Sequence, residues 1–357
     1  MSILNRRTML NLLASGAATL LSGGLSVPRS QARPGNGGLM FIVAHPDDDL
    51  LLINPDVQGA ILRARADPEV TVTTIYITSG VKPKEGPQGR EGGVMAAYAY
   101  MADSAVDTPW DMTIKWRLPY RELRSYPNIR LLFMRLPAQN EEGSDNYNDL
   151  GKLWEGQQQT LEAIDGTAIY TKTSLVEKLF SLINDLGTTT VGILDPTAKN
   201  FKTKITGRKF CSWNCQGKPG LNCDTYPYDH YDHYYSALFA LEACKTITLE
   251  LGLASYRTYN ILQEPENVSL SEGTRKLNTA GVYAKIADGL RICDKEYWVR
   301  RRYLRYGPLP LSQMRISDGQ VRALLDSFDG DALGMWRTAG RVRSAWARSS
   351  SARMARS

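Results

Sequence analysis

The chain has 357 residues, five cysteines, three histidines and a formal net charge of +6. Its two ends carry the excess charge: residues 1–32 contribute +3 and residues 331–357 contribute +5, which leaves −2 on residues 33–330. A nucleic-acid-binding domain needs clustered cations on its folded surface, so we expect no nucleic-acid partner. The body of the chain, about 300 residues, is enough for one large α/β domain or two small ones.

Residues 1–32 have the features of an export signal. Arg6-Arg7 precedes an apolar stretch over residues 9–27, and a small-x-small cleavage pattern ends at Ala32. These features predict a secretory signal of the twin-arginine type and a periplasmic or extracellular location. A membrane anchor is the alternative, but the stretch contains Asn11 and many glycines and serines, which are weak features for a bilayer span.

The body of the chain alternates between short apolar runs and helical patterns. The runs predict strands at residues 39–44, 70–78, 129–136 and 189–194, and the patterns predict helices at residues 90–101 and 173–186. This alternation, with near-continuous apolar strands, predicts an α/β fold with a mostly parallel sheet and helices on both faces. In such folds the chemistry gathers beyond the carboxyl ends of the strands.

Residues 44–49 read AHPDDD and follow the first predicted strand directly. They contain one of the three histidines of the chain and three consecutive carboxylates. Packing like charges together is costly unless a positive charge lies among them. The motif therefore predicts a cation at this end of the strand.

A segment at residues 196–227 has no clear periodicity and is predicted to be an insertion. Loops of this length are usually functional or disordered, so it is either a cover over the site or a peripheral loop. In an exported protein its cysteines more readily form a disulfide than a metal site, but the spacing does not say which pair forms. Three cysteines lie in this insertion and two are isolated in the sequence: Cys211, Cys215 and Cys223, then Cys244 and Cys293.

The other two histidines follow the insertion, at the start of a further predicted helix over residues 234–249. His230 and His233 are three residues apart, with Asp232 between them, and share a face if the helix has begun. Imidazole nitrogen and carboxylate oxygen are normal ligands of Zn²⁺, and three protein ligands leave a position open for catalysis. All three histidines thus lie in two motifs rich in aspartate, which predicts one zinc site.

At this point the sequence resembles a known family. AHPDD at residues 44–48 followed by His230-x-Asp232-His233 is similar to the zinc-dependent N-acetylglucosaminyl deacetylases, called LmbE-like or PIG-L. The resemblance extends from about residue 39 to about residue 305 and is to the exported bacterial branch. Further similar segments are residues 76–80, 89–91, 96–98, 128–137 and 256–257.

The resemblance implies a Rossmann-like fold and a set of roles. His45, Asp48 and His233 would bind zinc, Asp47 would be the general base, and His230 would stabilise or protonate the reacting group. The chemistry of the residues agrees, because two adjacent carboxylates allow one to bind the metal while the other acts as base.

Three further roles follow from the same resemblance. Asp232 would orient a histidine by accepting its second N–H, and in the family the partner is the residue matching His230. Tyr228 would lie near the substrate carbonyl. Arg90 would contact the substrate, and a solvated surface arginine is an equally weighted alternative.

The sequence departs from the family pattern at two positions. Asp49 stands where the family usually has glutamate, and Val81 follows Gly80 where an acidic residue is common. Neither position is an implied zinc ligand, so the departures concern the substrate more than the metal.

The implied activity is removal of the acetyl group from an N-acetylated amino sugar of an extracytoplasmic glycoconjugate by a domain at residues 33–330. Two alternatives stay open: a zinc amidohydrolase acting on another N-acyl substrate, such as an acylated antibiotic, and a catalytically idle carbohydrate-binding protein. The Arg/Ser-rich tail at residues 331–357 is predicted to be disordered, with a weak contact to an anionic envelope surface as the alternative.

Overall fold

The computed structural model describes residues 37–80, 87–104, 110–138, 150–198, 229–247, 251–287 and 296–310. The predicted export signal, nearly all of the predicted insertion, Tyr228 and the predicted basic tail lie outside the described residues. The same holds for every cysteine except Cys244, which is a free thiol in the core and whose pKa burial raises to about 12.

Within the described residues, eight strands form one sheet in the order β10-β9-β8-β1-β2-β5-β4-β3. The neighbours from β9 to β5 pair in parallel, and antiparallel strands flank them on both sides. A separate two-stranded pair is formed by β6 and β7. The strands are β1 Gly38–Val43, β2 Val72–Thr78, β3 Trp110–Lys115, β4 Leu118–Leu123, β5 Tyr126–Leu136, β6 Leu161–Glu162, β7 Ile169–Tyr170, β8 Thr188–Leu194, β9 Gly252–Tyr256 and β10 Leu304–Pro310.

The described helices are α1 Asp56–Ala66, α2 Gln88–Met101, α3 Leu150–Glu155, α4 Lys172–Asp185, α5 Tyr231–Lys245, α6 Leu270–Ala284 and α7 Glu296–Val299. A π-helical turn at Asp49–Ile53 and a 3₁₀ turn at Tyr259–Gln263 complete the helical structure. None of the helices in these described ranges is long and apolar enough to cross a membrane.

Helices cover both faces of the sheet, and the alternation of side chains along β1 shows the division. Phe41 and Val43 pack with residues of α1, α2 and α6, whereas Met40 and Ile42 pack with residues of α3, α4 and α5. Each fully buried side chain of this kind contributes roughly 1.5–3 kcal/mol to folding. The predicted fold class, a mostly parallel sheet with helices on both faces, is therefore confirmed.

The boundaries of α4 illustrate how the local sequence defines an element. Thr171 and Ser174 form a capping box, in which each side chain accepts a hydrogen bond from the other residue's backbone N–H. Gly187, with a φ of 61°, follows the end of the helix and allows the turn into β8. The helix predicted at residues 173–186 is thus confirmed with a shift of one residue.

Two helices on one face approach each other closely at Gly93 in α2. A Cβ atom at this position would lie 2.6 Å from Cδ2 of Tyr283 in α6. This close approach brings the first turn of α2 and the last turns of α6 to the carboxyl end of β1, where the first histidine motif begins.

Replacing Gly93 by alanine tests this packing. We expect Gly93→Ala to lower the free energy of unfolding by roughly 1–3 kcal/mol, because the new methyl group overlaps a buried ring. Gly59→Ala is the matched control: Gly59 is also helical, but a Cβ atom there would have no neighbour within 4 Å. The control should raise stability by roughly 0.5–1 kcal/mol. Urea denaturation of both variants is the measurement, and equal effects would contradict the close contact.

Candidate metal centre

The first histidine motif forms a tight turn directly after β1. The backbone N–H groups of Asp47 and Asp48 both donate to the carbonyl of His45, at 2.8 and 3.2 Å. The backbone N–H of His45 donates in return to Oδ2 of Asp48 at 2.7 Å. This turn directs the carboxylate of Asp48 back towards the histidine.

The second motif lies at the start of α5. His230 is the N-cap residue of the helix, and Asp232 and His233 lie in its first turn, where both are fully buried. The sheet order places β1 beside β8, and α5 packs against both strands. The two motifs, far apart in sequence, therefore meet at the carboxyl edge of the sheet.

His45, Asp48 and His233 form a buried group that could hold a metal ion, with ligand atoms within 4.8 Å of one another. The carboxylate of Asp48 lies between the two imidazoles. Its Oδ1 is 2.9 Å from Nε2 of His233, and its Oδ2 is 3.4 Å from Nδ1 of His45. These are the three residues that the family resemblance implied as zinc ligands.

Each imidazole of this group has its second nitrogen on another carboxylate. Nε2 of His45 is 3.1 Å from Asp232, and Nδ1 of His233 is 2.8 Å from Asp229. A metal-binding histidine usually donates its other N–H to such a partner, which fixes its tautomer and ring orientation. The donor set and its outer partners therefore fit a metal ion at Asp48.

A second group, His45, His230 and Asp232, also has ligand atoms within 4.8 Å of one another. In this group Nδ1 of His230 already accepts the backbone N–H of Asp232 at 3.1 Å. Asp232 Oδ2 also lies 3.7 Å from this nitrogen, farther than the outer carboxylates lie from the imidazoles of the first group. The first group is the better candidate.

The charges in the candidate centre balance one another. Burial by itself would lower the pKa of both ligand histidines, but Asp48 and the outer carboxylates raise the pKa of His45 to about 9 and of His233 to about 10. Burial would raise the pKa of Asp48, but His233 and His45 hold it well below its usual range. Without a metal, both imidazoles are therefore protonated at neutral pH and compensate the carboxylates.

His230 has the opposite protonation behaviour. Burial, followed by the charge of His45, lowers its pKa to about 3, so the ring is neutral at pH 7. Because Nδ1 accepts the N–H of Asp232, the ring proton lies on Nε2. The geometry thus favours a donor at Nε2 over the protonating role. The carboxylate of Asp232 lies 3.1 Å from Nε2 of His45 and 3.7 Å from Nδ1 of His230, the partner that the resemblance implied.

Asp47 lies beside the candidate centre and faces α2. Its Oδ2 is 3.6 Å from Nη1 of Arg90, and Asp47 is 6% exposed. Arg90 also lies over Gly80, where a Cβ would be 3.0 Å from the same Nη1. The guanidinium of Arg90 thus faces Asp47 with its side chain 25% exposed, and its contact with a substrate stays a prediction.

Asp49, the third carboxylate of the motif, points into the core. Its Oδ2 accepts hydrogen bonds from the hydroxyls of Tyr98 at 2.6 Å and Tyr76 at 3.0 Å. Burial raises its pKa to about 7 despite these two donors. Asp49 is thus part of a buried network that joins the π-helical turn to β2 and α2.

Sequence reasoning missed two residues at the site. Asp229 lies at i, i+4 from His233, a spacing that could have identified it as a partner. No sequence motif identifies Tyr283, which lies on the buried face of α6. Its buried hydroxyl has no hydrogen-bond partner among the described residues, and burial together with the negative charge of Asp47 raises its pKa well above the usual value.

A scan of the chain against protein-family models found no match, and a search of curated proteins found no significant match.

Metal binding should release protons, because a ligand histidine must be neutral and both ligand histidines have a raised pKa. Metal affinity should therefore increase with pH between 6 and 9, as the protons that compete with the metal are lost. Calorimetric titration of the metal-free protein with Zn²⁺, in buffers of different ionisation enthalpy, measures the released protons. Binding without proton release would contradict the charge balance described above.

Tyr283→Phe should stabilise the free protein, because it removes a buried hydroxyl that has no partner among the described residues. Leaving such a group unsatisfied costs roughly 1–3 kcal/mol. Thermal unfolding of the variant and the wild type, both without ligand, is the measurement. A loss of stability in the variant would mean that the hydroxyl makes a stabilising bond in solution.

Proposed function

We propose that the protein is a zinc-dependent hydrolase that removes the acetyl group from an N-acetylated amino sugar of an extracytoplasmic glycoconjugate. The observation that carries the proposal is a carboxylate, Asp47, which pairs with Arg90 beside a buried group that could hold a metal ion, His45, Asp48 and His233. The resemblance of the two histidine motifs to the LmbE-like deacetylases supports the substrate class.

Zinc suits the donor set, because two imidazole nitrogens and one carboxylate oxygen are ligands that it commonly takes at catalytic sites. When bound, zinc would polarise the acetamide carbonyl and favour deprotonation of the attacking water at neutral pH.

Asp47 would act as the general base and then as the general acid. Its carboxylate takes a proton from the attacking water and afterwards gives that proton to the leaving amine. Arg90, from α2, pairs with this carboxylate at 3.6 Å. Two neighbouring carboxylates thus serve different purposes, because they have different partners.

His230 would stabilise the oxygen of the acetamide as negative charge develops on it. With Nδ1 occupied by the backbone N–H of Asp232, the ring offers an N–H donor at Nε2. A donor aimed at a developing oxyanion in a buried site typically contributes 10²–10³-fold to the rate, so we expect roughly 100-fold here. Tyr228, which resembles a family tyrosine near the carbonyl, would assist it.

Acetate release from a panel of N-acetylated sugars, with and without a metal chelator, tests the proposal against its alternatives. We expect acetate release that the chelator abolishes and Zn²⁺ restores. Release of a different acyl group from a non-sugar substrate would favour the broader amidohydrolase. Chelator-insensitive sugar binding without any acetate would contradict the enzyme and favour an idle carbohydrate-binding protein.

Asp47→Asn should remove the base while leaving the metal ligands intact. We expect turnover to fall by roughly 10²–10⁴-fold, with zinc content unchanged by elemental analysis. Asp67→Asn is the matched control, because Asp67 follows α1 and precedes β2, at the opposite edge of the sheet. Near-normal deacetylation by Asp47→Asn would show that another group is the base.

A further inference from the structure

Asp229 is a buried carboxylate whose two oxygens both accept hydrogen bonds. Oδ1 accepts the backbone N–H of His230 and faces Nδ1 of His233, each at 2.8 Å. Oδ2 accepts the hydroxyl of Thr258 and the backbone N–H of Tyr259, the latter at 3.2 Å. Its side chain is 1% exposed. Such a set of donors fixes the carboxylate in one orientation.

This orientation determines which nitrogen of His233 is available to a ligand. A carboxylate at Nδ1 accepts the ring N–H there, so the lone pair of the neutral ring lies on Nε2. Nε2 is the nitrogen that faces Asp48, at 2.9 Å. Asp229 and Asp48 therefore hold the ring from opposite sides.

The contacts of Oδ2 join this histidine to the loop after β9. Thr258 and Tyr259 lie at the start of the 3₁₀ turn in that loop. The ring of Tyr259 packs edge-on against His233 with centroids 4.9 Å apart. Tyr259 in turn stacks on Trp298, with centroids also 4.9 Å apart. His233 thus contacts both the carboxylate of Asp229 and the ring of Tyr259. These two groups are held in turn by Thr258 and Trp298.

We propose that Asp229 is a positioning residue that fixes the tautomer and the orientation of His233 and thereby sets the metal affinity of the site. The proposal deepens the proposed function and rests on its metal site. Outer partners of this kind typically change metal affinity by 10–100-fold when they are replaced.

Asp229→Asn is the first variant, because it keeps the shape of the side chain but removes its charge. It also replaces one acceptor oxygen by an NH₂ donor, which cannot accept the hydrogen bonds that the carboxylate accepts. We expect its dissociation constant for Zn²⁺, measured by competition with a chromophoric chelator, to rise roughly 10–100-fold. Asp195→Asn is the matched control: Asp195 is also buried at the carboxyl end of the sheet, but its carboxylate accepts its described hydrogen bonds from the backbone N–H and the hydroxyl of Thr197. The control should keep the affinity of the wild type.

A spectroscopic measurement separates positioning from general structural support. In the zinc-loaded wild type, the Nδ1–H proton of His233 should give a strongly downfield resonance, because it is bonded to a carboxylate. That resonance should move upfield in Asp229→Asn and stay in place in Asp195→Asn.

Unchanged zinc affinity in folded Asp229→Asn would overturn the inference and leave the proposed function standing. If the wild type itself binds no Zn²⁺, the metal site and the inference both fail. If Asp229→Asn does not fold, Thr258→Val decides, because it keeps the carboxylate and removes one of its donors. We expect that variant to bind Zn²⁺ roughly tenfold more weakly than the wild type. Unchanged affinity would overturn the inference.

Discussion

The carboxylate of Asp48 lies between two imidazoles from distant parts of the chain, and the rest of the site is arranged around it. Each imidazole uses one nitrogen towards Asp48 and the other towards an outer carboxylate, Asp232 for His45 and Asp229 for His233. Carboxylates that are buried this close together require positive charge beside them to compensate their own charge. Two imidazolium groups supply it in the metal-free protein, and one divalent cation carries the same charge. Exchange of two protons for one metal ion therefore leaves the balance of the buried cluster unchanged.

The same constraint explains how three consecutive aspartates coexist. The turn after β1 and the π-helical turn that follows separate their directions, so that each carboxylate has its own partners: Arg90 for Asp47, two imidazoles for Asp48, two tyrosine hydroxyls for Asp49. Cationic partners hold the pKa of Asp48 well below its usual range, whereas burial raises that of Asp49 to about 7. Neighbours in sequence thus acquire different chemistry because the backbone directs them to different environments.

Short-range patterns in the sequence predict much of this arrangement. The long apolar runs predicted β1, β2, β5 and β8, since strands covered on both faces are almost continuously apolar. Other strands of the sheet were missed: five of the six residues of β3 are exposed, and β9 has only five residues, of which three are glycine, alanine and serine. The two histidine motifs were recognisable because both are local. The contacts of Asp229 with Thr258 and Tyr259 were not, because these two residues come from a loop about thirty residues further along the chain, and no periodicity links such positions.

The three histidines also show how local partners give residues of one type different protonation behaviour. His45 and His233 each lie between two carboxylates, which makes them strong ligands for protons or for a metal. His230 receives a backbone N–H at Nδ1 instead. Burial, followed by the charge of His45, lowers its pKa to about 3, so its ring stays neutral. A neutral imidazole with its proton on Nε2 is poorly suited to bind a cation there and well suited to donate a hydrogen bond. The position of His230 as the N-cap of α5, which aligns Nδ1 with the first free backbone N–H groups of the helix, is thus what distinguishes it from the two candidate ligands.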